Sequence, residues 1–193
     1  MTKRCVKRVP WEVESERLVI TPSMERRIKK GVIQRSVKKL CEFSLLEDEE
    51  DIFYDLPRAA FAAMNLGREH QATDLARRSI AAAASHEQNW NHANALNGGH
   101  TVLGLLALKD GNIEKAIEEL YSSGDVRGSP QLNSFGPSMQ LARELLLCGK
   151  TAEVLEFFSR CRQFWTFGEL WLDIWTRKVK RGHVPNFFHH RYR

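Results

Sequence analysis

Between residues 52 and 181 apolar side chains recur at three- and four-residue spacing in long Ala/Leu-rich stretches, broken by brief Gly, Asn, Asp or Ser segments. That is the period of an amphipathic helix, not the two-residue alternation of a strand. It predicts helices near 52–65, 69–84, 90–109, 113–123, 135–148, 151–161 and 164–181. Gly67, Gly111, Gly149 and Gly182 each stand just past one of these stretches, where a left-handed C′ residue ends a helix. Connections this short set successive helices side by side, so the expected fold class is all-α, built from antiparallel helical hairpins.

The first 51 residues read differently. Met24, Ile28, Val32, Val37, Leu40 and Cys41 fall near one helical face, while Arg26, Arg27, Lys29, Lys30, Lys38 and Lys39 crowd elsewhere. The result is a basic amphipathic helix interrupted by Gly31. Before it, Trp11 to Ile20 gives a short mixed pattern stopped by Thr21-Pro22, readable as an arm or as a single strand. After it, Glu47-Asp48-Glu49-Glu50-Asp51 repel one another and read as a solvated linker, with the preceding basic helix as an internal partner. The expected organisation is a basic arm, helix and acidic linker over 1–51, a helical body over 52–181, and a basic aromatic tail over 182–193.

Sliding the chain on itself aligns Leu66-Gly67, Asp110-Gly111 and Cys148-Gly149, each between two helices, and yields three hairpins. In the middle one, His100, Leu103, Gly104, Ala107, Ala116 and Leu120 fall where Trp, Leu, Gly, Tyr, Ala and Phe recur in the tetratricopeptide (TPR) pattern. Leu103, Gly104 and Ala116 match it outright. Small side chains at such positions let paired helices approach closely. Ala59, Ala60, Ala63 and Ala72 take the corresponding places in the first hairpin, and Leu141, Ala142, Leu145, Val154 and Phe158 in the third. Intervals of 44 residues from Gly67 to Gly111 and 38 from Gly111 to Gly149 exceed the TPR period of about 34. The chain therefore resembles a degenerate TPR array with longer turns near 85–92 and 125–134. The stretch GSPQLNSFGP, with HTVLGLLALKDGN before it and LARELLLCGK and FFSRCRQFW after it, is similar to text in a group of bacterial TPR-like proteins of unassigned function. The resemblance implies a short solenoid with a C-terminal capping helix and a concave surface for a protein segment. An unrelated helical bundle would share the same apolar period.

Charge adds a polarity to this picture. The net charge is +5 with 42% hydrophobic and 27% charged residues over 193 positions, which suits a folded domain with extensions. Residues 1–40 carry 12 Lys/Arg against 4 Glu, 41–60 carry 1 against 7, 61–175 carry 10 against 13, and 176–193 carry 6 against none. Two basic ends thus flank an acidic body, and such ends attract phosphate, anionic lipid or acidic protein. The four cysteines form no CxxC pair and read as reduced thiols. No stretch is long and apolar enough to span a bilayer, and the basic start lacks an apolar segment behind it, so the expected location is cytoplasmic.

Candidate binding chemistry gathers at three places. Asn89, Asn91, His92, Asn94, Asn97, His100 and Thr101 form an amide-rich helix start. It reads either as a polar strip on a groove that fixes the register of an extended peptide, or as a cap that orders a long turn. Gln131, Asn133, Ser134 and Phe135 sit in a proline-bounded corner, where Phe135 plugs a gap between hairpins or meets a ligand. Phe164, Trp165, Phe167, Trp171, Ile174 and Trp175 suit a capping helix, and Phe187, Phe188 and Tyr192 in the tail suit either base stacking or burial against the body. Arg26, Arg27, Lys29, Lys30, Lys38 and Lys39 form the basic patch. No GxSxG, Walker A, HExxH or dinucleotide motif occurs, and His189-His190 alone makes no convergent ligand set. The expectation is a non-enzymatic adaptor with a protein partner and no catalytic residue, metal or cofactor. The alternatives are nucleic-acid binding through the two basic ends, and a small-molecule-binding accessory protein with an enclosed polar pocket.

Overall fold

A computed structural model describes residues 9–191, the side chain of His189 aside. Residues 1–8, with the start of the basic arm and Cys5, lie outside the described residues, as does Tyr192 of the tail. The described chain is all-helical, with no strand among the described residues: α1 (Trp11–Arg17), α2 (Pro22–Phe43), α3 (Glu49–Asn65), α4 (Glu69–Ser85), α5 (His92–Lys109), α6 (Ile113–Gly124), α7 (Pro130–Phe135), α8 (Gln140–Leu147), α9 (Thr151–Cys161) and α10 (Glu169–Lys180). No helix among the described residues is long and apolar enough to cross a membrane.

Three expectations need correction. The segment after Trp11, readable in sequence as an arm or a single strand, is a helix. The acidic run is not a linker: the Asp48 carboxylate accepts hydrogen bonds from the backbone N–H of Glu50 (2.9 Å) and Asp51 (3.0 Å) and starts α3. Glu49, Glu50 and Asp51 then occupy the first helical turn, where the positive end of the helix dipole favours carboxylates. The basic α2 instead reaches one turn further, Lys39 pairing with Asp55 at 3.1 Å. Finally, the helix expected over 135–148 starts only at Gln140, and a separate short helix, α7, occupies the segment expected to be a long turn. Ser129 Oγ accepts the Leu132 N–H at 3.0 Å and Pro130 takes the first helical position, so the proline corner begins α7.

The four glycine stops behave alike. Gly67, Gly111, Gly149 and Gly182 have φ of 71°, 78°, 78° and 78°. Each closes the same pair of bonds, as in Gly111 N–H to Leu108 O and Asn112 N–H to Ala107 O. A Cβ there would meet nothing within 4 Å, so backbone conformation alone selects glycine.

Side-chain pairs fix the helix directions. From Asn97–Ser123 through His100–Glu119 to Gly104–Ala116 the α5 number rises as the α6 number falls, so these helices are antiparallel. His92–Ala83, Gly99–Ala76 and Lys109–Glu69 give the same relation between α5 and α4. Between α3 and α5 both numbers rise together, from Phe53–Asn91 to Pro57–Gly98, so that pair is parallel. The core has an alanine half and an aromatic half. Ala59, Ala60, Ala63, Ala72 and Ala76 are fully buried with Leu56 and Leu75 between α3, α4 and α5. Phe157, Phe158, Trp165, Trp175 and Phe187 fill the space around α9 and α10.

The two ends of the chain meet on the aromatic half. Trp11 of α1 stands edge-on to Trp171 at 5.1 Å. The buried Glu16 carboxylate accepts hydrogen bonds from Trp175 Nε1 (2.9 Å), Lys178 Nζ (2.6 Å), Asn186 N–H (3.1 Å) and Phe187 N–H (2.9 Å). Phe187 is fully buried, and His190 lies among Trp165, Trp171 and Trp175. The tail therefore tucks inward.

Helical glycines separate two situations that composition cannot. At Gly31 an added Cβ meets only the mobile Arg35 guanidinium, at 3.4 Å; at Gly99 it meets Ile80 Cγ1 at 2.7 Å and the Ala76 carbonyl at 2.9 Å. Gly31→Ala is expected to stabilise the fold by about 0.5–1 kcal/mol through helix propensity. Gly99→Ala is expected to destabilise it by about 1–3 kcal/mol through overpacking. Urea unfolding of the two variants beside the parent chain measures both signs.

Candidate functional site

The site begins with a proline in a helix. Pro57 lies inside α3 and has no N–H, so the carbonyl four residues back, Phe53 O, loses its helical partner. The Asn91 side chain supplies the replacement, Nδ2 donating to Phe53 O at 3.2 Å in a buried position. A chain of amides extends from there. Asn94 Nδ2 donates to Asn91 Oδ1 (2.9 Å) and, more weakly, to Gln131 Oε1 (3.4 Å), while Ser129 Oγ donates to Asn94 Oδ1 (2.6 Å). One relay thus ties α3 to α5 and α5 to α7. Pro57 also fits against α5 because position 98 is glycine, where a Cβ would stand 2.7 Å from Pro57 Cβ.

Between these three helices runs a groove of about 800 Å³. Tyr54, Pro57 and Phe61 line it from α3, Asn94, Asn97 and Gly98 from α5, and Leu132 and Phe135 from α7, with Trp90 from the connection before α5. Trp90 is 46% exposed and Phe135 is 62% exposed, and the Tyr54 and Trp90 rings lie 5.0 Å apart. Arg58 is the one charged residue along the lining among the described residues. The surface is thus apolar with amide seams.

The sequence-predicted strip divides on inspection. Asn94, Asn97, Gln131 and Phe135 do line the groove, and Phe135 sits at its rim rather than plugging a gap between hairpins. His92 does not line it: its Nδ1 meets Ala83 O at 3.0 Å, toward α4. His100 turns to α6, bonding Glu119 at 2.7 Å, and Thr101 is buried with its hydroxyl donating to Asn97 O at 2.7 Å. Asn97 Nδ2 itself donates to Ser123 O at 2.8 Å. Asn133 faces away from the groove and accepts from the Thr166 N–H (3.0 Å) and hydroxyl (2.6 Å), while Ser134 is exposed beside it. Tyr54, Pro57, Arg58, Phe61 and Trp90 were not among the predicted site residues. The available signals were a proline within a helical period and a tryptophan beside the asparagine run.

The basic patch lies on α2. Lys29 pairs with Glu25 at 3.6 Å, Lys38 with Glu42 at 3.6 Å, and Lys39 with Glu42 at 3.2 Å and with Asp55. Arg26, Arg27 and Lys30 are exposed and form no ion pair among the described residues. The described residues contain no His, Cys, Asp and Glu grouping suited to a metal ion. Set beside family models, curated proteins and solved structures, the chain matches none of them.

Two predictions test this construction. Asn91→Ala leaves Phe53 O buried without its donor and is expected to cost about 1–3 kcal/mol. Because Pro57→Ala restores a helical N–H to the same carbonyl, Asn91→Ala should cost measurably less in that background, a coupling that a double-mutant cycle in urea reads directly. The second concerns Glu119. Burial pushes its carboxyl up, but hydrogen bonds from His100 and Lys115 and their charge outweigh burial and hold it below the ordinary glutamate value. A folded-state pKa below the unfolded one stabilises the fold above about pH 4.5 and loses that contribution as pH falls through the folded value. Glu119→Gln is expected to flatten this acid limb in unfolding titrations.

Proposed function

We propose that this protein is a non-enzymatic, TPR-like helical adaptor that holds a protein segment in the groove between α3, α5 and α7. The observation carrying this reading is the groove itself, apolar and open, with the exposed rings of Trp90 and Phe135 on its lining. Exposed aromatic side chains around an apolar trough suit the anchors of a peptide, since tryptophan and tyrosine contacts dominate protein interfaces. The repeat arrangement is supported by the alternation of antiparallel neighbours around α5, by four identical glycine stops, and by the full burial of Ala116 against Gly104.

An accessory protein for a small polar molecule called for an enclosed polar pocket. The groove is open and mostly apolar, and its asparagine side chains are engaged with one another and with backbone carbonyls. Nucleic-acid binding keeps one supporting observation, the exposed cations of α2. It loses part of its stacking chemistry, because Phe187 is buried in the core.

The photo-crosslinker p-benzoylphenylalanine placed at Phe135, with a control at the exposed Val19, distinguishes the readings. The adaptor reading expects adducts with a discrete set of proteins at Phe135 alone, lost on Trp90→Ala. Nuclease-sensitive adducts, or adducts equal at both positions, overturn it.

A further inference from the structure

We propose that the outward face of α2 is a second docking surface, shaped for an acidic amphipathic helix. Along α2, Arg26, Lys30, Ile33, Val37 and Cys41 recur at three- and four-residue spacing, and all five are exposed. Ile33 and Val37 are each 49% exposed although they stand one turn apart in the middle of a 22-residue helix. Side chains at such intervals share one face and match the seam along which a second helix lies.

Charge specifies the occupant. Helix α2 carries seven Lys/Arg against two glutamates, and both glutamates are taken: Glu25 by Lys29 and Arg191, Glu42 by Lys38 and Lys39. Arg26, Arg27, Lys30 and Arg35 form no ion pair among the described residues. The nearest acidic side chain of the packed neighbour α3, Asp55, is engaged by Lys39 and Arg58. The surplus positive charge therefore faces outward, and a partner supplying carboxylates beside Arg26 and Lys30 neutralises it. Next to Ile33, a depression of about 310 Å³ between α2, α3 and α8 is lined mostly by polar and charged side chains, Lys29, Asn65, Gln140, Glu144 and Arg191, with Val32, so it suits a polar side chain of that partner and the apolar contact rests on Ile33 and Val37 alone.

Two other anionic classes fit less well. Phosphate backbones match the cations but offer nothing for the aliphatic pair, and α2 presents no exposed aromatic ring on which a base would stack. A bilayer surface rewards a broad apolar face with aromatic side chains, whereas the stripe here is two residues wide. Helix α2 is also anchored through Ser36 and Leu40, which are buried along the flank next to Ile33 and Val37, so the surface is preformed and its aliphatic pair borders the packed side of the helix.

The test uses the full chain and short capped fluorescent peptides of equal length: an acidic amphipathic helix, its scrambled sequence, and its Glu-to-Lys counterpart. Single-stranded RNA and phosphatidylserine vesicles complete the panel. Fluorescence anisotropy is expected to give the acidic amphipathic peptide at least about tenfold tighter binding than the other two. That binding is expected to weaken with salt and to fall on Arg26→Glu/Lys30→Glu and separately on Ile33→Ser/Val37→Ser, with unchanged circular dichroism melting. Equal binding of the scrambled peptide, indifference to the serine pair, or tighter binding of RNA or vesicles each overturn the proposal. The Trp90→Ala variant is expected to bind this peptide normally, which separates failure here from failure of the groove reading.

Discussion

The close approach of neighbours to α5 is the constraint on which the rest of the structure depends. This helix touches α3 at Gly98, α4 at Gly99, and α6 and α8 at Gly104, so three glycines serve three different faces of one rod. Each costs about 1 kcal/mol in helix propensity relative to alanine. The cost is offset by the burial that contact permits: Val102 and Leu106 of α5 are buried with Ala59, Ala63 and Ala76, which present no bulk. Remove the small residues and α3 and α4 must retreat from α5 together. The groove follows from the same contact, because the Pro57–Gly98 approach sets how far apart its two main walls stand.

This also explains which parts of the molecule could be read from the chain. The ends of α3, α5, α8 and α10 were legible because a left-handed glycine is a local requirement, visible without knowing any neighbour. The segment after Trp11, the acidic run and the proline corner were misjudged or left open, although Asp48 and Ser129 are ordinary helix caps and Pro130 is an ordinary first-turn residue. Repulsion within the acidic run and the two prolines of the corner favour irregular chain, and the caps beside them outweigh that tendency. The site was half legible. Asn94 and Asn97 of the polar strip and Gln131 of the separate corner line one groove, whereas His92, His100 and Thr101, which the spacing groups with the two asparagines, lie on other sides of a helix that is buried nearly all round. On such a helix residues one turn apart serve different neighbours, and nothing in the spacing says which. Tyr54, Arg58 and Phe61 joined the site only through the parallel alignment of α3 with α5, a long-range fact with no local mark.

The amide-rich start of α5 has a structural role that also shapes the groove. Asn91 repairs the hydrogen bond that Pro57 breaks, Asn94 carries the repair to Ser129, and the result holds α7 over the groove. These amides are consumed by the scaffold. What they leave facing the cleft is chiefly aromatic and aliphatic surface, with Arg58 as the one charged residue of the lining among the described residues.

The meeting of the two chain ends gives α2 its exposure. Helix α1 is held on α10 by the four-donor grip on Glu16, and Arg191 of the tail reaches Glu25 at 2.8 Å near the start of α2. At its other end α2 is fixed to α3 through Leu40 and the Lys39–Asp55 pair. A basic helix secured at both ends cannot fold its cations back onto the acidic run that follows it, and that run is already committed to starting α3. The charge asymmetry of the sequence is thereby kept on the outside. Helices α1 and α2 act as a built wall of the molecule rather than an appendage, and a chain lacking them would uncover Trp171 and Trp175 as well as losing the cationic face.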